Sequence, residues 1–198
     1  MDSKLVATAL VATSLLAAQA VAGGTTVRAP LACTPGAGDQ YFTANVTLPA
    51  EAVEASTYTV RIDSAPSGTI SHTGLRYLHD LATDYVLPRG ATYVAGSARI
   101  VPGTGTANVT PGARVWHEAG MLHVLLPGTV ENGSSYTPPS VEVQLKVATA
   151  AGAKLPVKLS QVRVTANVFL LGDLKSSCDP TPKPYLLGTT TVTRAASP

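Results

Sequence analysis

VEVQLKV, residues 141–147, alternates Val141, Val143, Leu145 and Val147 with Glu142, Gln144 and Lys146. Successive side chains of a strand point to opposite faces, so this segment has one apolar face and one wet face. A helix would scatter the same residues around its circumference. YFTANVTL (41–48) repeats the pattern, with Phe42, Ala44, Val46 and Leu48 on one side. TYTVRID (57–63) does so through Tyr58, Val60 and Ile62. VRVTANVFL (162–170) does so through Val162, Val164, Ala166 and Val168, with Arg163, Thr165 and Asn167 facing out.

Less regular strands fill the gaps, at 85–87, 98–101, 113–117, 121–126 and 185–193. The two around Glu118-Ala119-Gly120 read as a hairpin. Residues 155–159 run out of phase with the strand that follows, which predicts a bulge near Gln161. Hydrophobic residues make up 45% of the chain and charged residues 13%, and 17 Gly and 15 Pro interrupt it often. No segment after Ala22 keeps a helical apolar period. Eight to ten short strands with frequent turns predict an all-β fold, an antiparallel immunoglobulin-like sandwich in a single domain over residues 23–198.

The N-terminus reads as a signal peptide over residues 1–22. Lys4 precedes an uncharged apolar run, and Ala18-Gln19-Ala20 and Ala20-Val21-Ala22 are small-x-small cleavage sites. The expected location is therefore extracellular or the cell envelope, with no membrane span after the signal is removed. In that compartment the only two cysteines, Cys33 and Cys178, pair as a disulfide. Both lie in stretches that read as loops, APLACTPG and KSSCDPTP. Leu31-Ala32-Cys33 resembles a lipid-attachment box, but Pro30 stands where such a box takes an aliphatic residue. A net charge of +2, with scattered Lys and Arg, provides no row of cations for phosphates, so nucleic acid is excluded as a partner.

Two further stretches carry a resemblance. LPRGATYVAGS (87–97) and PGTVENGSSYTPPSVEVQLKV (127–147) are similar to elements of the conserved-repeat, immunoglobulin-like domains of bacterial surface proteins. His72-Thr73-Gly74 stands where those domains carry Asn-Thr-Gly, and the cysteine pair is outside their pattern. The resemblance implies a spacer or adhesive module without catalysis. In the first stretch Pro88 presets φ, and Gly90 supplies the freedom of a tight turn. It reads as scaffold, not as a reactive loop. Asn132-Gly133 in the second reads as a hairpin turn.

Candidate chemistry is sparse. His117, Glu118 and His123 flank one turn and are the candidates for a metal site. A three-residue turn would put both histidines on one face, and a two-residue turn on opposite faces. Asp80 and Asp84 read as a solvated strand edge. Trp116, the single tryptophan, reads as core; exposed, it would suit a sugar or peptide. Asn45, Asn108 and Asn132 head N-x-[ST] sequons, which carry no meaning in the bacterial host suggested by the Ala, Val, Gly and Pro bias. No nucleophile elbow, phosphate loop or dinucleotide fingerprint occurs. The chain is thus expected to be a non-catalytic binding, adhesion or display module, without cofactor, for an extracellular protein or glycan. A secreted hydrolase or metal-binding protein, and a carrier of a small apolar ligand, are the alternatives.

Overall fold

The computed structural model describes residues 24–34, 40–66, 69–101, 111–135 and 137–196. The signal segment and the Asn108 sequon lie outside them.

A 14-stranded, almost wholly antiparallel sheet is folded into two layers. In the first layer β11 (Ser140–Val147) pairs on one side with β6 (Ala91–Tyr93) and β7 (Arg99–Val101). On its other side come β4 (Thr57–Ser64), β2 (Gln40–Thr47) and β1 (Thr25–Thr34). The second layer is built on β12 (Lys154–Val168). One flank of β12 carries β13 (Gly172–Pro180) and β14 (Tyr185–Thr193), and β3 (Glu51–Val53) adds parallel to β14. The other flank carries β5 (Leu75–Val86), which pairs with β10 (Val130–Glu131) and β9 (Met121–Leu126); β8 (Arg114–Glu118) lies outermost.

β1 belongs to both layers. It pairs with β2 through Thr25–Leu31 and with β13 through Leu31–Thr34. Pro30 sits where the strand leaves one neighbour for the other, and Cys33 faces Cys178 across the second ladder. The disulfide joins them at S–S 2.04 Å. Both cysteines therefore lie in strands, not in loops; their Pro-rich surroundings hid that. As a disulfide, Cys33 has no thiol left for a lipid.

The alternating faces meet in one core. Tyr58, Val60, Ile62, Val143 and Leu145 of the first layer and Leu122, Leu155, Val157 and Leu159 of the second are at most 2% exposed. Phe42 and Tyr85 meet edge to face between the layers, with ring centroids 6.3 Å apart. The predicted bulge is present: between Leu159 and Gln161 the register of β12 against β5 shifts. It merges two expected short strands into one of 15 residues. Past it, alternation blurs. A second bulge puts Asp80 at φ 49°, Thr165 is buried, and Val162 to Val168 are otherwise only partly covered.

Two turn readings change. Gly90 does not take a positive φ, so it does not supply left-handed freedom. It supplies space, because a Cβ there would stand 2.8 Å from Leu155 Cδ2 and 2.9 Å from Thr149 Cγ2. Gly90→Ala is expected to destabilise by about 1–3 kcal/mol through overpacking, read from urea unfolding. Asn132-Gly133 does turn, with Gly133 at φ 85°, but it is no hairpin. It carries the chain from β10 in the second layer towards β11 in the first, and the Asn132 amide bonds both backbone groups of His72.

The outer face of the first layer is a closed charge network. Arg61 Nε donates to both oxygens of Asp63 at 2.9 and 3.0 Å, Ser140 Oγ donates to Asp63, and Arg99 pairs with Glu142 at 2.6 Å. The Arg61 bonds, followed by that from Ser140, hold the Asp63 carboxyl below its ordinary range. Its folded value lies below its unfolded one, so its stabilisation is complete above about pH 4 and is lost as pH falls through the folded value. The Tm gap between wild type and Asp63→Asn should thus narrow below about pH 4 in a circular-dichroism melt series.

Candidate functional site

The outer face of the second layer is built differently. The cross-strand register places Trp116 of β8 opposite His123 of β9, and His123 opposite Asp84 of β5. Arg163 of β12 completes the row. Asp84 is 5% exposed although it points away from the core. The imidazole, the guanidinium and their strands cover it. His123 Nδ1–H donates to Asp84 Oδ1 at 2.8 Å, and Arg163 Nη2 donates to Asp84 Oδ2 and Oδ1 at 2.8 and 3.0 Å. A carboxylate only accepts, which fixes the His123 proton on Nδ1. The Trp116 indole stacks on the other side of this chain, 5.1 Å from the His123 ring and inclined by 22°.

Trp116 is therefore not core. It is 40% exposed, because β8 is the outermost strand among the described residues. Asp84 is not a solvated edge either; it is the buried anchor that holds the indole and the guanidinium in place. The row continues on β13, where Asp179 accepts from Gln161 Nε2 at 2.9 Å and from Lys183 Nζ at 2.6 Å. The Lys183 bond, then that from Gln161, holds the Asp179 carboxyl below its usual range.

A groove of about 290 Å³ opens beside Arg163, lined by Asp80, Ala82, Leu125, Thr165, Lys175 and Ser177 among others. Its walls carry charges of both signs and hydroxyls, set among apolar surface that exceeds the polar. Such a lining fits an extended ligand with both polar and apolar parts, and the inner faces of the two layers are filled by the core.

The proposed metal ligands are placed as follows. Ala119 and Gly120, at φ 50° and 79°, form a two-residue turn. Glu118 then faces Met121, and His117 faces Leu122, so His117 and His123 lie on opposite faces of the hairpin. His117 stacks on Tyr93 of β6, with ring centroids 4.7 Å apart. Glu118 is exposed beside the turn. Among the described residues no three His, Cys, Asp or Glu side chains converge as a metal site.

The fold has a counterpart among solved structures. Over 87% of its length the chain matches a protein of Corynebacterium diphtheriae described as membrane anchored, with 13% identity and a TM-score of 0.53. That likeness shows the fold. The chain spans 38% of that protein's length. It also matches the seventh ScaB type I cohesin of Pseudobacteroides cellulosolvens at 14% identity, over 74% of this chain and 89% of that one. The collagen-binding domain of a Staphylococcus aureus adhesin matches at 11% identity, over 69% and 89%. Their TM-scores of 0.36 and 0.35 are too low to define a shared fold. No family model matches the sequence, and no curated protein matches it.

Proposed function

We propose that the chain is an exported, non-catalytic binding module of the bacterial cell surface or its surroundings, with one sandwich domain behind a signal peptide at residues 1–22. Its partner is an extracellular protein or glycan, taken up on the outer face of the second layer. The observation that carries this reading is the exposed Trp116 fixed on the His123–Asp84–Arg163 chain, with an open groove beside Arg163. An indole that is both exposed and held in one orientation contacts a ligand at little entropic cost, and such aromatic anchors dominate binding surfaces. The buried Asp84 gives Arg163 a fixed bearing, so its remaining nitrogens can donate in a set direction. The Cys33–Cys178 disulfide suits an oxidising compartment. The sandwich it shares with a protein described as membrane anchored is in keeping with a surface location.

Trp116→Ala is the direct test. Exposed on an outermost strand, Trp116 contributes little to stability, so the variant should melt within a few degrees of wild type. Its binding to detergent-extracted, lipid-free envelope fragments of the producer, measured by co-sedimentation, should fall at least about tenfold. Equal sedimentation of both proteins would remove this face from consideration.

A further inference from the structure

The hairpin between β12 and β13 ends in Phe169, Leu170 and Leu171, exposed at 64%, 89% and 68%. The hairpin overhangs the core: beyond Thr165 on β12, and up to Lys175 on β13, no residue is fully buried. The turn is nevertheless firmly held. Phe169 N donates to Gly74 O at 2.7 Å, and Leu171 N donates to Val168 O at 3.1 Å. Leu170 sits at φ 67°, a conformation that glycine adopts freely and leucine does not. A large apolar side chain thus occupies the position where glycine would fold most easily, and it contacts solvent. Stability does not explain that choice.

We propose that this tip inserts into the headgroup–acyl boundary of a lipid bilayer. Three observations favour lipid over a protein partner. The three side chains offer on the order of 450 Å² of mostly apolar surface, within the range of functional patches but about half of what one side of a stable protein interface needs. They follow one another on a narrow, projecting turn, a convex shape that a fluid phase covers and a flat protein face does not. The amides of Phe169 and Leu171 are already bonded within the protein, as depth in a bilayer requires. Behind the tip stands a polar collar: Asn167 donates to Asp173 at 2.7 Å, His79 Nε2 lies 3.3 Å from Asp173, and Tyr77 packs against His79. Such a collar stops insertion at the interface. Asp173 and Lys175 give it both signs of charge, so apolar insertion, not attraction to anionic lipid, supplies the binding.

The test is vesicle flotation, using protein purified from its producing cell with wild type and variants processed identically. The vesicles are equimolar phosphatidylcholine and phosphatidylglycerol. Wild type should float. Leu170→Asp and Leu171→Asp should each lower partitioning at least about tenfold. Leu170→Gly relieves the backbone, so it should melt no lower than wild type and yet float less; a purely structural role for Leu170 would not separate the two. The proposal is overturned if wild type stays with the unbound protein, or if the double Asp variant floats like wild type. It is also overturned if lipid-free wild type is a dimer that Leu170→Asp converts to monomer, since a second copy would then cover the tip.

Discussion

Replacing Cys33 and Cys178 together by alanine should lower stability by several kcal/mol, with about 5 kcal/mol as the chain-entropy ceiling for a loop of this size. The bridge spans 145 residues and closes nearly all of the described chain. It also sits where the layers are joined: β1 leaves β2 at Leu31 and runs beside β13 only through Thr34. Without the bond, four residues of ladder hold that junction. The expected fall in Tm is roughly 10 °C or more, and reductant should reproduce it in wild type. A loss under about 1 kcal/mol would mean that the unfolded chain is already confined by other contacts.

Breaking the Asp84 cluster has the next largest effect, and its two halves differ. Arg163→Ala leaves a buried carboxylate with His123 as its remaining partner and should cost about 3 kcal/mol, at the low end for a broken buried pair. Asp84→Ala removes the buried charge and leaves Arg163, whose side chain is 46% exposed and can be hydrated. Its cost should be smaller, about 2 kcal/mol, most of it from the His123 Nδ1–H left without its acceptor. The double variant should lose less than the sum, with a coupling of about 1 kcal/mol or more in urea unfolding. Additive losses would show that the two side chains do not stabilise each other.

The core was legible in the sequence because alternation is local. VEVQLKV and TYTVRID bury the predicted residues, YFTANVTL buries its own except the half-buried Leu48, and the phase slip near Gln161 is a real bulge. The disulfide followed from compartment and cysteine count. The outer face of the second layer was hidden for a different reason. Asp84 meets His123 from 39 positions away and Arg163 from 79, and no local pattern encodes such distances. One sign was present: a carboxylate directly before Tyr85-Val86-Leu87, in a strand that runs into the core. Trp116 was assigned to the core by residue type, whereas its exposure depends on strand order, with β8 at the edge. Strand lengths were underestimated because bulges at Asp80 and Gln161 interrupt alternation without ending the strand.

A surface component bound on the face around Trp116 must alter the surroundings of the indole. Since the chain has a single tryptophan, its fluorescence reports on this face alone. The decisive measurement is a titration of that fluorescence with envelope fragments of the producer, untreated, protease-treated or periodate-treated. A saturable spectral change is expected, abolished by one of the two treatments and weakened at least about tenfold in Arg163→Ala at full folding. Protease sensitivity would make the partner a protein, and periodate sensitivity a glycan. A spectrum that no fraction changes, while the protein still sediments with envelopes, would contradict the account and place binding elsewhere on the molecule.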